Sequence, residues 1–183
     1  CLRKLLLHGL KPGDGEVFVT GVTGGVGIIS LMLLNKLGFN VSAITGKMDQ
    51  ADLLSNLGAK KVIDRNDLDT ELISPLQKPT YVGGIDAVGG KILSNLICST
   101  HQRAAIACCG MVGGLSLDTS IFPFILRGLS LFGVDSAESL LSVKEEVWNN
   151  FASSWKLESI DENIKNISLD ELPEEIEKIL KGE

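Results

Sequence analysis

Gly21, Gly24, Gly25 and Gly27 stand in the stretch EVFVTGVTGGVG, residues 16–27. They follow the apolar residues Val17, Phe18 and Val19 and open the apolar run Ile28–Leu37. A strand, a glycine turn and a helix in that order predict a cradle for the phosphates of a dinucleotide. Gly21 allows a tight turn off the strand. Gly24 and Gly25 let a pyrophosphate approach the backbone, with Thr23 and Val26 beside them, and Gly27 lets the helix pack closely on the sheet. Free N–H groups and the positive end of the helix dipole favour anions there. The spacing is G-x-x-G-x-x-G rather than the usual G-x-G-x-x-G. The alternative reading is an ordinary glycine-rich turn.

A second group of residues bears on which dinucleotide is held. An NAD site places an acid about 20 residues past the glycines, at the end of the second strand. Here that end reads AITGKMD, with Thr45, Gly46 and Lys47 in place. Thr45 offers a hydroxyl, Gly46 leaves room and Lys47 brings positive charge. Arg65, just past the third strand, adds a second cation. A 2′-phosphate needs donors and positive charge, so the pattern predicts NADP(H) rather than NAD. Solvated surface cations are the bland reading. Asp49 is expected to cap the second helix of the fold.

Other polar residues have weaker claims. His8 sits at a helix end and His101 in a turn, neither with an evident partner. Asp135–Ser136 reads as a helix cap. Trp148 and Trp155 are expected to pack in the core or an interface. Cys1, Cys98, Cys108 and Cys109 match no zinc spacing and are read as buried thiols of a reducing compartment. No metal site and no catalytic residue are expected from these residues.

The elements that must position the glycine turn alternate along the chain. Strands are predicted at Val17–Thr20, Val41–Ile44, Lys61–Ile63, Gly84–Val88, Ala104–Cys109 and Leu129–Val134. Helices are predicted at Gly25–Leu37, Asp49–Leu57, Lys91–Ser99, Ile121–Arg127, Glu138–Trp155 and Pro173–Leu180. Ile164–Ile167 is a candidate extra strand. Cys1–Leu10 reads as the end of a helix cut from a longer protein. The expected fold is α/β, a doubly wound parallel sheet in the order 3-2-1-4-5-6, with the ligand at the carboxyl ends of the strands. With 183 residues, 44% of them hydrophobic, the chain holds one domain with a real core. A net charge of −6 gives no nucleic-acid footprint. No apolar run reaches membrane-spanning length.

VTGVTGGVG, AITGK, LGAKKVIDR, GGIDAVGG, CCGMVGG, FPFILRG and LFGVDS occur in that order. They resemble the cofactor half of the medium-chain dehydrogenase/reductase superfamily, within it the acryloyl-CoA reductase-like quinone oxidoreductases. The resemblance implies a Rossmann domain, residues 1–183, from a two-domain reductase whose GroES-like catalytic domain is absent here. It implies NADPH-dependent, zinc-independent reduction of an activated C=C bond in acryloyl-CoA, a quinone or another enone, in the cytoplasm. Thr23, Gly24, Gly25 and Val26 match the pyrophosphate loop. Thr45, Gly46 and Lys47 match the 2′-phosphate loop, where members often have Ser-Gly-Arg, and Arg65 matches an adenosine-end contact. Met111 matches the nicotinamide-end loop, and Ile125 and Ser136 match further groove positions. Members often carry Gly-Gly before the fifth strand, where His101–Gln102–Arg103 stands here. The edge strand Leu129–Val134 is expected to pair in a homodimer. The alternatives are a non-catalytic NADP(H)-sensing module and an NAD-using zinc alcohol dehydrogenase relative.

Overall fold

A computed structural model describes residues 1–72, 74–158, 160 and 164–181. Six strands form one sheet: β1 (Glu16–Thr20), β2 (Asn40–Thr45), β3 (Ala59–Asp64), β4 (Tyr81–Asp86), β5 (Thr100–Cys108) and β6 (Ser130–Gly133). Their order is β3-β2-β1-β4-β5-β6, and every neighbouring pair is parallel. This is the expected doubly wound sheet. The helices are α1 (Leu2–Leu7), α2 (Gly25–Lys36), α3 (Ala51–Asn56), α4 (Gly90–Cys98), α5 (Phe122–Arg127), α6 (Leu141–Phe151) and α7 (Leu172–Lys181).

Alternation along the strands divides the core between the two faces of the sheet. Val17 and Val19 of β1 join Leu5 of α1, Leu31 and Leu34 of α2, and Trp155 on one face. Phe18 joins Ile92, Leu96 and Ile97 of α4 on the other. Because both faces are covered, the central strands are apolar almost without break. Each fully buried Leu, Ile or Phe contributes about 1.5–3 kcal/mol of transfer free energy, so the centre of the sheet is its most secure part.

Several expectations are corrected. β4 begins three residues earlier than predicted and ends at Asp86, because the two glycines Gly83 and Gly84 sit inside the strand. β5 begins at Thr100 and carries a bulge: the stretch Thr100–Ala105 faces only Tyr81–Gly83. His101, Gln102 and Arg103 bulge outward, and Arg103 has a left-handed backbone, φ 60°. Residues 164–167 form no strand. Asp49 does not cap α3; it lies in the 3-10 turn Met48–Gln50, and α3 starts from Gln50 without a side-chain cap. Asp135 accepts the N–H groups of Ala137 and Glu138 in a local turn, whereas α6 starts only at Leu141. Trp155 is buried, but Trp148 is mostly exposed and only tilts against Phe151. Of the four thiols Cys98 is buried, Cys1 and Cys108 are half-buried and Cys109 is exposed.

Candidate nucleotide-binding site

The order reverses between β1 and β4, so their carboxyl ends part and leave a crevice above the sheet. The glycine turn lies there. Gly21 has φ +59°, a conformation that costs an L-residue about 1–2 kcal/mol. A Cβ on Gly27 would fall 2.2 Å from the Gly21 carbonyl oxygen, so the first turn of α2 closes on the strand end only with glycine. Gly25 is different: a Cβ there would meet nothing within 4 Å. Its bare backbone faces open space, as an approaching phosphate requires. The N-cap of α2 is Gly24, with no side-chain cap. The first N–H groups of a twelve-residue helix are therefore left for a ligand or water. Thr23 is half-buried beside them and Val26 exposed.

One strand away, the predicted cations meet the predicted gap. A Cβ on Gly46 would fall 2.5 Å from Nε of Arg65, so the guanidinium lies directly over the Gly46 backbone. Lys47 follows at once. Thr45 is buried, and its Oγ1 accepts the Lys47 N–H at 3.0 Å, which fixes the turn at the end of β2. Asp64, the acid nearest to Arg65 in sequence, turns its carboxylate onto the Asn66 N–H at 2.9 Å. The structure thus brings Gly46, Lys47 and Arg65 together at the end of β2.

On the other side of the crevice two glycine loops meet. Gly89 and Gly114 form a β-bridge, and the Gly113 N–H donates to the Val88 carbonyl at 2.8 Å. Met111 lies in the second of these loops with its side chain exposed. Ile125 is exposed on α5. Ser136 lines a depression with Arg3, Val134, Lys144, Val147 and Trp148, and no residue of the glycine turn borders it. His8 packs edge-on to Phe132, and His101 points outward on the β5 bulge. Neither histidine joins the crevice.

Sequence reasoning passed over Asp86. It is fully buried at the carboxyl end of β4. Its Oδ1 accepts from Thr20 Oγ1 at 2.7 Å and from the Val88 N–H at 3.4 Å. Its Oδ2 accepts from the Gly89 N–H at 2.9 Å and from Cys108 Sγ at 3.3 Å. Thr20 in turn accepts the Ala87 N–H at 2.9 Å. Burial, and then the neighbouring Asp86 carboxylate, push the Cys108 thiol up to about 11. The available signal was a carboxylate at the end of an apolar strand, which must find donors once buried.

The zinc-binding dehydrogenase family model matches residues 25–153. Among the described residues no three His, Cys, Asp or Glu side chains gather as metal ligands do. The yhfP protein of Bacillus subtilis, solved with NAD bound, is 38% identical with a TM-score of 0.93, over 99% of this chain and 55% of that one. The yhdH oxidoreductase of Salmonella enterica, solved with NADP, is 35% identical with a TM-score of 0.95, over 100% of this chain and 56% of that one. The acrylyl-CoA reductase AcuI of Ruegeria pomeroyi is 35% identical over 96% of this chain and 53% of its own length. The chain spans about half the length of the curated relatives it matches. Matched over most of its length by the family model, and sharing fold and sequence with these proteins, the chain belongs to the zinc-binding dehydrogenase family, as a cofactor-binding domain of the medium-chain dehydrogenase/reductase superfamily.

Proposed function

We propose that this chain binds NADP(H) and forms the cofactor half of a zinc-independent oxidoreductase that reduces an activated C=C bond. The observation that carries this reading is the uncapped start of α2 at the β1/β4 crevice, with Arg65 laid over Gly46 one strand away. Gly21, Thr23, Gly24, Gly25 and Val26 surround the pyrophosphate. Thr45, Gly46, Lys47 and Arg65 form the 2′-phosphate end, with Thr45 acting through the turn it fixes. Met111 belongs to the nicotinamide end, and Ile125 and Ser136 are further positions of the cofactor groove. When bound, NADPH supplies a hydride. The protein's part is to orient the cofactor and exclude water.

The relatives' names favour an enzyme over a sensing module. AcuI is named for acrylyl-CoA, and YhfP carries a quinone oxidoreductase name. An acyl-CoA, quinone or other enone is the acceptor class that follows. The chain is acidic and gives no nucleic-acid footprint, and no described helix is long and apolar enough to cross a bilayer. Four free cysteines suit a reducing cytoplasm. The edge strand β6, Ser130–Gly133, is the surface through which two copies pair.

Titration with NADPH and NADH at one salt concentration tests the cofactor assignment. NADPH is expected to bind about ten-fold more tightly. Lys47→Ala and Arg65→Ala are each expected to remove about 1.5–3 kcal/mol of NADPH binding, the range for hydrogen bonds to a charged group, and to leave NADH within about two-fold. Equal or tighter binding of NADH overturns the 2′-phosphate assignment.

A further inference from the structure

We propose that Asp86 is a positioning residue that sets the distance between the two halves of the cofactor crevice. The proposal rests on the NADP(H) reading above. Asp86 ends β4, which pairs with β1 on one side and with β5 on the other. Its carboxylate reaches both. Oδ1 takes the Thr20 hydroxyl, the last residue of β1 before the glycine turn. Oδ2 takes the Gly89 N–H and the Cys108 thiol, at the entrance to the second pair of loops.

Each half of the crevice then stacks on this link. The glycine turn rests on the Ala87–Val88 segment: a Cβ on Gly21 would fall 3.1 Å from Val88 Cγ2. The Gly110–Gly114 loop rests on the same segment from the far side. A Cβ on Gly110 would fall 2.1 Å from the Ala87 carbonyl oxygen, and Gly113 bonds to the Val88 carbonyl. The Cys109 N–H donates to the Asp86 carbonyl at 2.9 Å, so main chain and side chain of this residue fix the same junction. Residues 86–89 form a wall that both loops touch, and the carboxylate clamps that wall to β1.

The donors also explain why the residue is an acid. Asp86 is fully buried with no cation among its partners, and two backbone N–H groups, a hydroxyl and a thiol all aim at it. A carboxylate accepts from all four. An amide at the same place accepts on one atom and presents two N–H donors to groups that are themselves donors. The Thr20 hydroxyl is free to turn, but the Gly89 and Val88 N–H groups are fixed. Asp86→Asn therefore sets donor against donor and pushes the β4–α4 junction off the end of β1.

The adenosine end is built by β2 and β3 and does not pass through this clamp. The two ends of the cofactor are thus expected to respond differently. Adenosine 2′,5′-bisphosphate reaches the adenosine end and the glycine turn on one side of the crevice, whereas NADPH must also reach the Gly110–Gly114 loop on the other. The experiment measures binding of both by calorimetry to wild type, Asp86→Asn, Thr20→Val and Thr20→Ser, with thermal unfolding as the control for folding.

Asp86→Asn and Thr20→Val are expected to weaken NADPH by about ten-fold or more and to leave the bisphosphate within about two-fold. Thr20→Ser, which keeps the hydroxyl, is expected to restore NADPH binding. Equal weakening of both ligands, no weakening of either, or loss of the fold in both variants overturns the proposal and reduces Asp86 to a general stabiliser. Failure of the wild type to bind either ligand overturns the NADP(H) reading itself. Bisphosphate binding in the wild type with unaltered NADPH binding in the variants overturns only the positioning role.

Discussion

At the scale of single residues, Arg103 shows how a local rule is broken and what it costs. Its φ of 60° places an L-residue in the left-handed region, inside the bulge where β5 departs from β4. That conformation costs about 1–2 kcal/mol for any residue with a Cβ. The side chain is exposed, so little packing offsets the cost. Arg103→Gly relieves the strain but enlarges the freedom of the unfolded chain, a penalty of about 0.4–1 kcal/mol. The expected net gain is about 0.8 kcal/mol, the middle of a range from about 0 to about 1.6 kcal/mol. It is read as a higher urea midpoint with an unchanged slope. A lower midpoint would mean that Arg103 makes compensating contacts in solution.

At the scale of elements, the short helix α5 is tied to the sheet by its last residue. Arg127 Nη1 donates to the carbonyls of Cys98 and Thr100, at 2.7 and 2.8 Å, and Nη2 donates to the Gln77 carbonyl. One guanidinium thus closes the C-terminus of α4, the start of β5 and the loop before β4. Arg127→Met keeps most of the apolar stem and strands those carbonyls. The expected loss is about 2 kcal/mol, in the range for hydrogen bonds from a charged donor. Arg127→Lys is expected to recover part of it, because an ammonium lacks the planar fork. Chemical denaturation of the three proteins measures both effects. Wild-type stability in the Met variant would show that water replaces the guanidinium without cost. The strand order was legible because apolar strands alternated with amphipathic helices and a glycine turn marked the first crossover. The strand–turn–helix setting of Gly21 to Gly27, and the place of Lys47 and Arg65 just past the ends of β2 and β3, were legible along the chain. Arg127 and Asp86 were not, because their partners lie far away in sequence and no periodicity announces them. The starts of β4 and β5 were missed for a related reason: glycines inside β4 and a bulge in β5 both look like turns until the neighbouring strands are present.

For the molecule as a whole, buried acidic protons make stability fall in alkali. Burial, aided by the nearby Glu16 carboxylate, pushes the Tyr81 hydroxyl from 10.0 up to about 12. Cys108 is raised from 9.0 to about 11. In both cases the folded state keeps a proton that the unfolded chain has already lost. Between about pH 9 and 12 the unfolded chain therefore binds fewer protons, and the free energy of unfolding decreases as pH rises. Below that window neither group contributes any pH dependence. A net charge already negative at neutrality adds growing self-repulsion in the same direction. Tyr81 is the sole tyrosine of the chain, so tyrosinate absorbance reports one site without overlap. Tyr81 opens β4 and meets the Phe18 ring edge-on at 5.3 Å, in the part of the core beneath the β1/β4 crevice. Its ionisation in the folded state is held back to about pH 12, so below that pH tyrosinate absorbance and loss of helical circular dichroism should rise together on alkaline titration. Tyr81→Phe removes one of these ionisations and is expected to move the alkaline midpoint upward, with Cys108→Ala acting in the same sense and from lower pH. Tyrosinate appearing near pH 10 while the circular dichroism stays native would contradict this account, since it would place the hydroxyl in water while the sheet remains folded.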